Sequence, residues 1–357
     1  MKKVLLATTM FVAGASVAAA DVTLSGDGRM GVISSGSDDP RTPTIDESGL
    51  AFTSRARVAF GLSGETDGGL QFGGSFRADN AGGAAGGTAG SVFLSGAFGK
   101  ISMGDVDGAA QMATGHVAGV GFTGLGDLNE STFLGAGGAN LVTQAFAAGP
   151  DNPLETTDPT VLYEYSFGDF TFYASHTNTR PVTSGNAAAN TGLNSNATAA
   201  ALGAKYTFSG YTIGLGYEKL SGYIAPAGVT VATPLVTAAK PLDNTDLDHV
   251  VLTLEGKVAG LTVKGLIGQA SGRLAGVNIK TPANNGKQYA ASATYTTGAL
   301  SGTLFYADDS ALGGTAALGV GASYDLGGGA AITGGWARTK VAGRDSSTAD
   351  LGVTFKF

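Results

Sequence analysis

Asp350-Leu351-Gly352-Val353-Thr354-Phe355-Lys356-Phe357 closes the chain. Leu351, Val353, Phe355 and Phe357 share one parity while Asp350, Thr354 and Lys356 share the other, and side chains of a β-strand alternate between its two faces. One face suits lipid and the other water. A terminal aromatic ring also suits the interfacial girdle of a membrane barrel. The same alternation recurs upstream, in Tyr211, Ile213, Leu215 and Tyr217 against Thr212, Gly214, Gly216 and Glu218, and again in Leu318, Val320, Ala322, Tyr324 and Leu326.

At the other end stand Lys2 and Lys3, an apolar run over 4–17 and then Ala18-Ala19-Ala20. This is the pattern of a cleaved export signal, so residues 1–20 are set apart and residues 21–357 are expected to form one domain. No later stretch approaches the roughly 18–20 apolar residues a membrane helix needs, yet the mean hydropathy is +0.14. Dispersed alternation accounts for both, because only every second residue of a barrel strand faces lipid. A formal net charge of −7 argues against nucleic acid as a partner, and with no cysteine there is neither a disulfide nor a thiolate metal site. The 59 glycines lie among Val, Leu, Phe and Tyr at strand spacing, which argues against low-complexity disorder. Inward positions that are so often Gly, Ser, Thr or charged imply a wet lumen.

Candidate strands fall near 22–33, 51–63, 70–79, 90–98, 100–105, 160–167, 170–177 and 198–208. Eight more fall near 211–219, 247–258, 261–270, 287–297, 300–307, 315–326, 330–339 and 348–357. They number sixteen, an even count as an antiparallel bacterial barrel requires. Short glycine-bearing turns, such as Gly168-Asp169, Ser209-Gly210, Ala259-Gly260 and Gly298-Ala299, alternate with long polar connections, of which 106–159 is the longest. Long connections all at one end are the mark of an outer-membrane barrel. A connection as long as 106–159 is the kind that carries function.

Several segments resemble the general diffusion porins of alpha-proteobacteria: 22–32 (VTLSGDGRMGV), the run from Phe93 to Asp105, 210–219 (GYTIGLGYEK), 319–329 (GVGASYDLGGG) and the terminal 350–357. The likeness spans essentially the whole chain after the export signal, with the long loops matching least. It implies an all-β transmembrane antiparallel barrel of 16 strands in the outer membrane, a homotrimer, and a long third external loop folded into the lumen. Lipid and lipopolysaccharide would surround it, and small hydrophilic solutes and ions would diffuse through it. The resemblance implies no cofactor beyond a structural calcium at loop positions. Asp105-Val106-Asp107-Gly108 supplies only two carboxylates of such a loop, and no metal ligands are assigned.

Parity also places charge. With Val22, Leu24, Met30 and Val32 outward, Arg29 points inward; Arg55, Arg57 and Arg77 do so on the next two candidate strands. Counted from the short turns, each lies seven to nine residues up its strand, so the four are expected at one level of the pore wall. Eight residues climb roughly 20 Å at a barrel's tilt, inside an apolar band about 25 Å tall. An arc of charge at one level is how a pore selects and orients solutes. The alternative is ordinary lumen charge neutralised by nearby acids. Opposing acids are expected from the third loop, namely Asp105 and Asp107 at its root and Asp127 and Glu130 farther along, although 108–149 is mostly Gly, Ala, Thr and Leu.

His116, His176 and His249 are scattered and show neither zinc spacing nor a nucleophile motif, so an enzyme is not expected. A plugged structural or adhesive barrel is the rival reading, but loops poor in aromatics lack the anchors of a binding surface. Tyr173 and Phe305 are the inward aromatics, too few for a sugar-stacking track.

Overall fold

A computed structural model describes residues 21–37, 49–79, 90–134, 160–178, 196–223, 245–274, 277–280, 285–309, 312, 316–341 and 344–357. The expected export signal and the middles of the longest connections lie outside the described residues. The strands run in chain order as β1 (Asp21–Ser37), β2 (Gly49–Glu65), β3 (Gln71–Asp79), β4 (Ser91–Gly96), β5 (Gly99–Gly104), β6 (Thr160–Phe167), β7 (Phe170–Asn178), β8 (Asn196–Phe208) and β9 (Tyr211–Tyr223). They continue as β10 (Thr245–Val258), β11 (Leu261–Leu274), β12 (Val277–Asn278), β13 (Lys287–Thr297), β14 (Leu300–Asp308), β15 (Ala316–Gly327), β16 (Ala330–Val341) and β17 (Arg344–Lys356). One short helix, α1 (Ala109–Thr114), interrupts the connection after β5.

Each strand pairs antiparallel with the next, and β1 pairs with both β2 and β17, so the sheet closes. The two-residue β12 is a rim addition on β11, which itself pairs directly with β13; without it the barrel has the sixteen strands expected. Closure is what lipid demands, since an unpaired backbone group there costs several kcal/mol and a closed ladder has no edge. Among the described residues no helix is long and apolar enough to cross a membrane.

The apolar parity faces outward throughout, with Val22, Leu24, Phe52, Val58, Tyr211, Ile213, Val320, Tyr324 and Leu351 all exposed. Aromatic rings gather near the short turns, where Phe170, Tyr206, Phe208 and Tyr211 form a continuous ladder with centroid separations of 4.2, 5.4 and 5.8 Å. Such a band suits a headgroup-level girdle.

The strands outrun the sequence-predicted ends on the long-loop side, β1 reaching Ser37, β9 Tyr223 and β11 Leu274, while β17 begins at Arg344. Above the apolar band both faces are polar, so the ladder continues after the alternation that reveals it has stopped. At the short-turn end the agreement is close. Ser209 and Gly210 have φ of 44° and 83°, and Ala259 and Gly260 have φ of 48° and 82°, the paired positive values of a type I′ hairpin.

Ala259 is therefore held where an L-residue with a Cβ loses about 1–2 kcal/mol. Ala259→Gly should raise the urea midpoint of the micelle-folded protein by an amount equivalent to about 1 kcal/mol, less the entropy lost by glycine. A lowered midpoint would contradict the left-handed assignment.

Candidate functional site

After β5 the chain turns toward the inner wall, with the Asp105 amide donating to the Gly90 carbonyl at 3.1 Å. Residues 106–134 then lie on the face opposite the exposed apolar one, across strands β6 to β17 and β1. The hydrophobic core sits between this loop and the wall: Ala109, Ala110, Ala113, Val117, Val120, Leu125 and Phe133 pack on Leu162, Tyr173, Val251, Leu266, Phe305 and Ala337. The lumen is thus dry on one side, where the sequence suggested water throughout. Tyr173 and Phe305 are buried beneath the loop.

Small residues on both partners make the contact possible. A Cβ placed on Gly203 would stand 2.2 Å from the Ala109 carbonyl oxygen and 2.7 Å from the Ala113 Cβ, and one on Gly216 would stand 2.6 Å from the Ala110 Cβ. Helix α1 therefore rests alanine on glycine, nearly backbone to backbone. Its cap residue Gly108 gives no side-chain bond, but Ser175 Oγ on β7 accepts the Ala109 amide proton at 2.8 Å, satisfying one orphan donor of the first turn. Farther along, the Ala118 amide donates to Ser292 Oγ at 3.0 Å.

At Phe122 and Thr123 the wall grips the loop by its main chain. Arg29 Nη1 donates to both carbonyl oxygens at 3.2 and 3.1 Å. Asp350, buried on the neighbouring β17, accepts the two amide protons at 3.3 and 2.8 Å and the Thr123 hydroxyl at 2.6 Å. The chain then reverses through Gly124, Leu125, Gly126 and Asp127, with φ of 80°, 48°, 77° and 57°. Gly124 and Gly126 take this conformation freely, whereas Leu125 and Asp127 are strained in it; the burial of Leu125 and the bonds from its amide to Thr123 Oγ1 at 3.1 Å and from the Asp127 amide to the Gly124 carbonyl at 2.9 Å hold the turn.

The two limbs are tied by Asn129 Nδ2, which donates to the Val117 carbonyl at 2.7 Å, and by the Ser131 amide, which donates to His116 Nδ1 at 3.0 Å. Burial, then the charge of Lys264, pushes His116 down to about 4, so the ring is neutral at ordinary pH. Since Nδ1 accepts, Nε2 carries the proton. The Gln111 amide lies 3.2 Å from Nε2, and with that nitrogen protonated it is the amide oxygen that faces the ring.

The four arginines all lie on the inner face, half-buried. Arg29 and Arg55 are direct cross-strand partners, Arg57 lies across from Asp27 and Asp79, and Arg77 lies across from Ala59. They step toward the short-turn end from β1 to β3. In a barrel tilted by about 35–45° the rungs themselves slope. Each turn falls beyond the rung shared with the previous hairpin, as Lys100 pairs with Glu164 while the next turn waits until Phe167.

The carboxylates that hold the arginines come from the wall. Arg55 Nη2 meets Asp27 Oδ1 at 2.9 Å, and Asp79 accepts from Arg57 Nε at 2.8 Å and Arg77 Nε at 2.9 Å. Sequence reasoning missed both acids, although parity marks them: Asp27 is two residues before Arg29 and Asp79 two after Arg77. Of the loop acids, Asp127 is exposed on the reversal and Glu130 follows it, its amide bonded to the Asp127 carbonyl at 2.9 Å. Asp105 and Asp107 stay at the root, where burial, and then the charge of Asp105, raises the Asp107 carboxyl above its ordinary range. Among the described residues no group of three or more His, Cys, Asp or Glu could hold a metal ion.

A closed barrel, apolar outside and carrying an infolded loop within, defines a transmembrane channel of the porin class. The Gram-negative porin family matches residues 7–354. A porin of Rhodobacter capsulatus is 35% identical over 348 residues, covering 94% of this chain and 100% of that protein. A porin structure refined at 1.8 Å resolution superposes with a TM-score of 0.64 at 32% identity, over 94% of this chain and 100% of that one. An engineered Rhodopseudomonas blastica porin shares the fold at a TM-score of 0.58 and 19% identity, with the same coverage. The chain belongs to the Gram-negative porin family and is a channel protein of the outer membrane.

Two outcomes test this geometry. Gly216→Val should destabilise by about 1–3 kcal/mol through overpacking and lower single-channel conductance by pushing α1 into the lumen; unchanged conductance would mean the helix is not seated there. For Asp107 the folded pKa is raised, so the stability tied to its protonation is lost as pH rises through that value. Asp107→Asn should remove this decline, making the variant the more stable at neutral pH and equal to the parent in acid.

Proposed function

We propose that the channel is narrowest where Phe122 and Thr123 meet the arginine wall, and that Arg29, Arg55, Arg57 and Arg77 form the basic arc of that section. The observation carrying this reading is the pair of bonds from Arg29 to the loop carbonyls, which ties the wall charge to the loop at one place. Asp127 and Glu130 supply the acidic side of the section, and Asp105 and Asp107 flank the loop's root. Small hydrophilic solutes and ions then cross passively down their gradients, sorted by size and charge. No cofactor, catalysis or energy source enters the reading. Calcium is left without ligands.

The arc is half compensated within the wall, since the two carboxylates of Asp27 and Asp79 hold three of its four members. Its field is therefore weakened, and the expected ion preference is modest. The working form is a homotrimer set among lipid and lipopolysaccharide, with the exposed apolar faces covered by both. Cleavage after Ala20 would free Asp21, whose residue already pairs with Ser63 as the first rung of β1.

Planar-bilayer recording of the refolded mature chain under a salt gradient tests the reading. Arg55→Ala with Arg57→Ala should move the reversal potential toward cation preference, and Asp27→Asn with Asp79→Asn should move it toward anions. Both shifts should be larger in dilute salt, because the screening length is about 10 Å at 0.1 M and grows on dilution. Reversal potentials unmoved in both pairs would place these charges outside the selective section.

A further inference from the structure

We infer that Glu218, His249, Gln288 and Asp309 are positioning residues that hold the return limb of the loop, residues 131–134, and that they do so through one proton shared between Glu218 and His249. This rests on the reading that the loop sets the pore's narrowest section. The four side chains come from β9, β10, β13 and the residue after β14, and are 1%, 0%, 1% and 5% exposed.

Glu218 and His249 face each other across one rung, with His249 Nδ1 3.0 Å from Glu218 Oε2. His249 Nε2 lies 2.7 Å from Gln288 Oε1, although β11 runs between their strands. Gly268 on that strand makes the meeting possible: a Cβ there would stand 2.2 Å from Gln288 Oε1 and 3.0 Å from His249 Nε2. Both ends of the chain of bonds finish on loop backbone. Glu218 Oε2 accepts the Leu134 amide proton at 2.7 Å, Asp309 Oδ2 accepts that of Thr132 at 2.5 Å, and Gln288 Nε2 donates to the Thr132 carbonyl at 2.8 Å. Gln288 Nε2 also donates to Asp309 Oδ1. Between these anchors the Phe133 ring stands edge-on to His249 and His116.

The protons can be counted. Both Gln288 amide hydrogens go to acceptors, so its oxygen faces the imidazole and His249 Nε2 must carry hydrogen. One proton then lies between Nδ1 and Glu218 Oε2. On the ring it makes an imidazolium–carboxylate pair, and on the acid a neutral pair; either way every bond survives. Without it, two lone pairs face each other at 3.0 Å in a buried site, beside the carboxyl of Asp309. The titratable groups around the ring are Glu218 on β9, Asp309 after β14 and, across Phe133, the loop's neutral His116. β11 and β13 contribute Ala270, Gly268 and Gln288 there, none of them titratable.

The blander reading is a buried network that stabilises the barrel. The ladder from β9 to β14 is complete without it, however, and well-packed apolar residues are often the more stable filling of such a site. What the network adds is one defined place for residues 131–134.

The test is bilayer recording of the refolded full barrel. The parent channel should be quiet. His249→Ala should flicker, while its heat-resistant gel mobility stays that of the parent. Should that variant not fold, Leu134→Pro removes the amide that Glu218 holds, together with the contacts of the Leu134 side chain to Leu220 and Leu247, and should flicker as well. A folded variant as quiet as the parent overturns the proposal. If Gly216→Val and the double arginine variant move conductance or reversal potential while these do not, only the latch has failed; if none of them moves either quantity, the loop does not set the pore.

Discussion

Lipid offers no hydrogen bonds, and that single constraint organises this molecule. Every backbone N–H and C=O at membrane depth must find a partner within the protein, which the ladder from β1 round to β17 and back achieves. Once the wall is secured by its main chain, the inner side chains are released from holding the sheet together. They can be as small as glycine. A soluble sheet would lose stability at Gly203, Gly214 and Gly216, but here these positions become a floor on which a helix can lie.

The floor explains the composition of the loop. Ala109, Ala110 and Ala113 present a nearly flat face to those glycines, and larger or charged side chains would lift the helix into the lumen. A loop rich in acids could not dock this way. Part of the charge one would look for on the loop is found on the wall, where Asp27 and Asp79 lie among the arginines and Asp350 holds loop amides. Arg29 turns to neutral carbonyls, which lets it stand across the rung from Arg55.

Most of the fold was legible because period-two alternation survives wherever one face meets lipid. The strand ends nearest the short turns, set by residues such as Ser209-Gly210 and Ala259-Gly260, were readable almost to the residue. The opposite ends were not, because at Ser34–Ser37 and Arg344–Ser347 neither face is apolar while the ladder goes on. The inward aim of Arg29, Arg55, Arg57 and Arg77 was readable by the same parity. Their partners were harder, since a salt bridge between strands depends on register, and register is fixed by pairings that no single strand encodes. Asp27 and Asp79 could have been found by extending the parity two residues; Asp350 stood in plain view as a polar-face residue without a task.

The loop contacts were the least legible part, for a physical reason. Arg29 and Asp350 bind the peptide groups of Phe122 and Thr123, and Asp309, Gln288 and Glu218 bind those of Thr132 and Leu134. Every residue except proline offers an N–H, so a grip on main chain leaves almost no signature in the sequence gripped. The signature lies instead in the gripping residues, polar side chains buried on the inner face of strands that otherwise meet water or loop. His249 is the clearest of these. As a lone histidine it suggested nothing, but an inward, fully buried imidazole across a rung from an inward glutamate needs both ring nitrogens answered. Gln288 and Glu218 answer them, and in doing so they reach the loop.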